Sequence, residues 1–442
     1  MIMAGRETSL SDYSHGSGIV FLFLLGLWST SQLASVWGVF PDQALVMLHH
    51  SKNILGAIVV SWSLFVVLLR ISQHSILQFD KSIFIFALLF PFYVTLINIV
   101  RLEISWKEVL LYWFWVVGVY LALPALLQRE HLQRQAIKVL FWTNLSVLLI
   151  GICLGLLKGI YYVIGHGNRL VFSFLHPNYY SNSWQIVFAI ALYYAVTVKR
   201  TLWRIGAFAI MVCSIVFMLL ASSRNTLVAS LILIVCYTLF GKKWFFPARL
   251  TAICLTVFLL MLTFLFISPS AGKIDQITTG RLSIWKMTLE ANLNRASALD
   301  YLLGCGRYQV KGFPDEPSKT YSSQELTRSH VDNAYLDIFL QNGLLGFLLF
   351  FIPISMMMRR IWLNAVSGAD DPFSRQARIA LGCWVAILVQ MFTVSIIPSF
   401  GNVINIFILI FMAPMAVKLK PVQSASVEEP AANLSPVRSL GR

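Results

Sequence analysis

An all-α polytopic membrane protein with about 12 transmembrane helices is the fold class this sequence predicts, and three observations predict it. Of its 442 residues, 58% are apolar or aromatic and only 12% are charged, whereas a soluble globular chain carries roughly a quarter charged residues. The mean hydropathy is +0.74. The apolar residues gather in runs long enough to cross a bilayer, and the basic residues between those runs fall mostly on alternate loops. This composition excludes a cytosolic enzyme, a disordered chain and a disulfide-stapled secreted domain. Cys153, Cys213, Cys236, Cys254 and Cys383 sit inside apolar runs and only Cys305 in a polar one, so no disulfide framework is readable.

Crossing the hydrocarbon core takes about 20 apolar residues in a helix, because backbone amides cannot be left unpaired in lipid. Runs of that kind lie near 18–40, 53–69, 82–100, 109–127, 137–157, 183–198, 205–222, 225–240, 249–268, 337–358, 379–397 and 402–417. The run at 183–198 is short, and Arg224 interrupts what is otherwise one run from 205 to 240. No cleavable signal peptide is expected, since the first apolar stretch is too long and no small-residue cleavage site follows it.

Twelve spans put both termini on one side. The loops near 70–81, 128–138, 199–204, 241–249 and 359–378 are rich in Lys and Arg, and the termini add Arg6, Lys418, Lys420, Arg438 and Arg442. The short loops on the other face hold only Lys52, Arg101, Lys107, Lys158, Arg169 and Arg224. By the positive-inside rule both termini are cytoplasmic. The formal charge of +15, from 34 Lys and Arg against 19 Asp and Glu, is thereby explained by topology, and no nucleic-acid partner is needed.

Four segments follow: transmembrane helices over 1–268, a polar loop domain over 269–336, further transmembrane helices over 337–417, and a polar tail over 418–442 that is expected to be disordered. The 269–336 segment falls on the outer face and has structure of its own. Ile284, Trp285, Thr288 and Leu289 recur at helical spacing within Arg281–Leu293. A Gly-rich turn at Leu303-Gly304-Cys305-Gly306 comes next, then a Pro-bearing polar section, then His330 leading into an apolar helix. Loops this long with internal structure usually carry function. No internal repeat of the secondary-transporter kind is visible.

Four features on the outer face are candidates for chemistry. Arg224 occupies the tip between two apolar helices, where a charge needs a partner or water, although its side chain can equally snorkel to the interface. Arg281 opens the loop helix four residues before Trp285 and can stack on it, or remain a solvated arginine. His330, were a helix to begin there, would share a face with Asn333 and Asp337, and its imidazole suits proton transfer near neutrality; a purely structural histidine is the alternative. Arg169 and His176 belong to an outer loop in which His176-Pro177-Asn178 either caps the next helix or contributes to a site.

The outer face has no Asp-x-Asp, no His-x-x-x-His and no Cys pair, so no metal site is expected. Walker and dinucleotide motifs and a serine nucleophile elbow are absent as well. Arginines with one histidine suit an anionic leaving group, because guanidinium forks match phosphate oxygens and an imidazole can take a proton.

Taken together, Ser223-Arg224 at a helix tip, Gly280-Arg281 with Ile284-Trp285, Gly304-x-Gly306, and His330 with Asn333, Leu336 and Asn342-Gly343-Leu344-x-Gly346 resemble the O-antigen ligase/polymerase superfamily over most of 165–350. The resemblance implies a fold similar to GT-C-type membrane glycosyltransferases in the bacterial inner membrane, with the site on the periplasmic face. It implies an enzyme that takes a glycan from undecaprenyl pyrophosphate and, in the ligases, passes it to a sugar hydroxyl of lipid A–core, with no cofactor and no metal. Arg224 and Arg281 would bind the pyrophosphate, Arg169 less securely so. His330 would be the essential histidine, with Trp285, Asn333 and His176 in support.

Within that superfamily the O-antigen polymerase is the nearest alternative. Its recurring Arg-x10-Gly spacing is met once here, by Arg295 and Gly306, and not from Arg169. A protein O-oligosaccharyltransferase comes third, against which stands a chain that stops soon after its last span. A lipid-linked sugar transporter is the alternative from another class. Transporters place ionisable residues near the midplane in broken helices, whereas these candidates gather at the outer boundary.

Overall fold

The computed structural model describes residues 4–34, 42–72, 80–101, 106–127, 130–158, 161–163, 170–172, 177–221, 223–239, 281–293, 297–304, 333–366, 371–392 and 411. Thirteen α-helices are seen among them. They are α1 (Ala4–Ala34), α2 (Asp42–Ser72), α3 (Lys81–Arg101), α4 (Trp106–Val117), α5 (Leu123–Leu126), α6 (Glu130–Lys158), α7 (Pro177–Thr197), α8 (Thr201–Leu220) and α9 (Arg224–Leu239), followed by α10 (Arg281–Leu293), α11 (Ala298–Leu303), α12 (Ala334–Val366) and α13 (Pro372–Gln390). A π-helical turn over Gly118–Ala122 joins α4 to α5. One antiparallel ribbon, β1 (Tyr161–Val163) against β2 (Leu170–Phe172), pairs Tyr162 with Val171. The sequence reading did not anticipate this ribbon, because three residues per strand leave no alternation to detect.

Ten of the twelve expected spans lie on these helices. The runs at 249–268 and 402–417 fall outside the described residues, Phe411 excepted, as does the tail over 418–442. Among the described residues, six stretches are long and apolar enough to cross a membrane: Ser51–Leu69, Lys81–Val100, Val109–Leu126, Glu130–Cys153, Thr201–Leu220 and Ala334–Val366. The protein is therefore a helical membrane protein. α7 and α13 are as long but less apolar, for a reason visible in the packing. Ser181, Asn182, Ser183 and Gln185 on α7 and Gln376, Arg378 and Gln390 on α13 are all buried among other helices, so their polar groups meet protein rather than lipid.

α7 is the central element, packed on α8, α6, α9 and α13. Every residue from Tyr180 to Tyr193 is buried. The Trp184 and Phe217 rings stack at 4.6 Å between α7 and α8. At one end of the bundle Arg375 donates to Val196 O at 2.7 Å and buried Arg378 to Ala365 O, each guanidinium meeting a carbonyl that the end of a helix leaves over. At that same end Asp371 caps α13 through the Ser374 amide at 2.7 Å. Asp80 likewise caps α3 through Ile83 N and pairs with Arg360 of α12, tying α3 and α12 together.

α12 is broken. Gly343 has φ 64° and ψ −173°, values open to glycine and strained for other residues. The break leaves a short segment, 334–342, set off from the longer helix below it. It was not visible in the sequence, where the apolar run at 337–358 reads as one continuous helix.

Candidate active site

α8 and α9 form the hairpin that the arginine interrupting the 205–240 run suggests. Ser223 sits at the tip: its amide donates to Met218 O at 3.2 Å, and its carbonyl accepts from Leu227 N and from Thr226 Oγ1. Arg224 is the first residue of α9 and is half-buried.

The level of Arg224 in the bundle follows from register. Gln185 of α7 meets Gln390 of α13, and Val196 meets Arg375, so α7 and α13 run antiparallel. The chain reverses between α7 and α8 and again between α8 and α9, which makes α9 antiparallel to α13. These two cross at Leu233 and Gly382, where an added Cβ on the glycine would lie 2.9 Å from Leu233 Cδ1. Arg224 is nine residues from that crossing and Met391 is nine residues from it, so both lie about 13 Å along in the same direction.

Met391 O accepts the amide of Ala334 at 2.9 Å. The start of α12 is thereby brought to the level of Arg224. Tyr335 OH adds a second tie to α13, donating to Leu388 O at 2.8 Å. Asn333 caps α12: its side-chain oxygen accepts from Leu336 N at 3.1 Å and its carbonyl from Asp337 N at 2.9 Å. α12 thus starts at Ala334, four residues after the start at His330 entertained from sequence, and the Asn333 oxygen serves the helix end.

α10 covers Arg281–Leu293, the stretch whose spacing predicts a helix. Its outer face carries an exposed Lys286–Glu290 pair, while Thr288 is fully buried. Trp285 and Leu289 on its inner face join Asn333, Tyr335, Leu336 and Phe347 around a cavity of about 370 Å³. Tyr335 belongs to an aromatic cluster that stiffens this wall, stacked on Phe351 at 5.2 Å and packed on Phe392 at 4.5 Å. Two sequence candidates from distant segments, Trp285 and Asn333, therefore line one cavity at the end of the bundle where Arg224 opens α9.

Arg281 begins α10, one turn ahead of Trp285; its side chain lies outside the described residues, as do His330, Arg169 and His176 altogether. Arg169 immediately precedes β2, and His176 immediately precedes Pro177, the first residue of α7. Among the described residues no three His, Cys, Asp or Glu side chains gather as metal ligands. Sequence reasoning missed Tyr93 of α3, whose hydroxyl lies 3.0 Å from Leu303 O and 2.9 Å from Asn342 O. No local signal marks a residue more than two hundred positions from both partners.

No curated protein matches the chain significantly. A protein-family model described as O-Antigen ligase matches residues 209–351. That segment holds Arg224, α10, the cavity and the break in α12, while Arg169, His176 and Tyr93 lie outside it. Over that segment, about a third of its length, the chain is similar to the O-antigen ligase family.

Proposed function

We propose that the chain is an O-antigen ligase, a glycosyltransferase that moves O-polysaccharide from undecaprenyl pyrophosphate to a sugar hydroxyl of lipid A–core. The observation that carries this reading is the convergence of Trp285 and Asn333 on one cavity at the level of Arg224, inside the family-matched segment. A guanidinium at the level of an apolar-walled cavity suits an amphiphile with an anionic head.

In this reading about twelve spans cross the bacterial inner membrane in a GT-C-like arrangement. Both termini are cytoplasmic by the positive-inside rule, and the 269–336 domain is periplasmic. The donor is already activated, since a lipid pyrophosphate leaves readily. What remains is to hold donor and acceptor in line, to offset charge growing on the pyrophosphate and to take the acceptor proton. Arg224 and Arg281, with Arg169 in a lesser part, bind the pyrophosphate without a metal ion, and His330 is the base. A single displacement at the anomeric carbon inverts its configuration. Trp285, Asn333 and His176 shape the site.

The test is reconstitution of purified protein with undecaprenyl-pyrophosphate-linked glycan, with and without lipid A–core, in the presence of chelator. Glycan on lipid A–core with inverted linkage is the expected product. Retention of configuration would exclude the single displacement. Longer glycans still on the carrier would make the chain a polymerase, and normal turnover of His330→Ala would remove the assigned base.

A further inference from the structure

α11 has no buried side chain: Leu299, Tyr301 and Leu302 are all exposed. Its N-terminus is self-sufficient, closed by a capping box between Ser297 and Asp300. At its other end the backbone of this helix meets α12 directly. Gly304 takes φ 92° and Gly343 φ 64°, and there the two chains touch main chain to main chain. A Cβ on Gly304 would lie 2.3 Å from Gln341 O, and one on Gly343 would lie 2.4 Å from Leu302 O.

A third element locks this contact. The Tyr93 hydroxyl of α3 reaches Leu303 O at 3.0 Å and Asn342 O at 2.9 Å. Leu303 is the last residue of α11, where carbonyls lack partners within the helix, and Asn342 is the residue before the break in α12. The ring lies close over Gly346, where a Cβ would lie 2.8 Å from Tyr93 Cε1 and 2.4 Å from Asn342 Cβ. α3 and α12 are themselves tied at the far end by Asp80 and Arg360, so the hydroxyl fastens α11 to a fixed frame. On the other side of the break, segment 334–342 forms a wall of the cavity that α10 faces.

We propose that Tyr93 is a positioning residue for the transfer reaction: its hydroxyl docks α11 onto the break in α12 beside the cavity. This rests on the glycosyltransferase reading above. The hydroxyl acts through Leu303 and Asn342 and touches no substrate.

The experiment uses the full chain in nanodiscs with Tyr93→Phe, which keeps the ring on Gly346 and removes only the hydroxyl. Backbone amide exchange over 297–304 should rise roughly three- to tenfold, the scale of one hydrogen bond's net worth. The kcat for glycan transfer should fall by a similar factor, with the donor KM and the thermal midpoint nearly unchanged. Gly346→Ala, whose Cβ would meet Asn342 Cβ at 2.4 Å as well as the ring, should also raise this exchange, at a cost to the thermal midpoint. Tyr112→Phe removes a hydroxyl bonded to Gln341 Oε1 at 3.0 Å and should leave exchange over 297–304 as it was. Unchanged exchange in both Tyr93→Phe and Gly346→Ala overturns the docking. Raised exchange with normal kcat overturns the positioning role. A wild-type protein that transfers glycan to nothing, yet exchanges faster as Tyr93→Phe, overturns the enzymatic reading and reduces Tyr93 to a structural tie.

Discussion

Gln185 and Gln390 exchange two hydrogen bonds across the interface of α7 and α13, Gln390 Nε2 to Gln185 Oε1 at 2.7 Å and Gln185 Nε2 to Gln390 Oε1 at 3.3 Å. Both side chains are buried. Each amide offers a donor and an acceptor to the other, so one pair of identical residues fixes the register of two central helices. That register sets the height of Met391 and hence of the start of α12.

Breaking the pair on one side should cost more than removing it. Gln390→Leu leaves the Gln185 amide without this partner among apolar neighbours, at about 1–3 kcal/mol. The double variant Gln185→Leu/Gln390→Leu should recover a good part of that loss. A double-mutant cycle on thermal unfolding in detergent measures the coupling; additive losses would show that the pair contributes nothing as a pair.

Asn333→Ala should lower stability by about 1 kcal/mol through loss of the α12 cap and speed exchange at Leu336. Asn333→Asp keeps a side-chain acceptor and should behave as wild type. Equal exchange at Leu336 in the two variants would contradict the capping role.

Arg224 is the first residue of α9 and is half-buried. Arg224→Ala should lower transfer on the order of a hundredfold, the usual effect of deleting one donor to a developing anion. Arg224→Lys should fall in between, because the charge survives and the two-pronged geometry does not. Steady-state kinetics with the lipid-linked donor decide it, and an active Arg224→Ala would remove the arginine from the site.

Two glycines should respond in opposite ways to the same substitution. Gly343→Ala forces a Cβ into the backbone of Leu302 and Gly304 at a positive φ, and the backbone strain alone costs roughly 1–2 kcal/mol. Gly206 of α8 has open space around it, so Gly206→Ala should be neutral or gain up to about 1 kcal/mol. Thermal midpoints of the two variants in the same detergent provide the comparison.

The helices were legible because membrane spans announce themselves by apolar runs, and the boundaries were legible only in part. α1 begins 14 residues before the run that predicts it and α2 11 residues before, since a helix goes on past the bilayer where polarity no longer marks it. The arginine at position 224 was correctly placed at a hairpin tip, because a charge inside an apolar run has few other places to be. The break at Gly343 was hidden: an Asn-Gly pair within an apolar run looks the same whether the helix bends there or continues. Trp285 and Asn333 were each picked out by local pattern, but their meeting at one cavity depends on the seating of α12 against Met391. Tyr93 was beyond reach altogether, for an aromatic in an apolar span reads as lipid-facing or core packing until its partners are known.

α8 has a consequence for the lipid this protein keeps. Leu202, Trp203, Ile205, Phe208, Val212 and Val216 all stand exposed along it, and only about a fifth of the helix, 22%, is buried. Its 20 residues rise about 30 Å, the thickness of an average hydrocarbon core. With so little protein around it, α8 acts as a depth gauge. In a bilayer a few Å thicker or thinner, the mismatch falls on this helix first, as tilt or as deformed lipid, and reaches Arg224 through the three-residue connection that follows it.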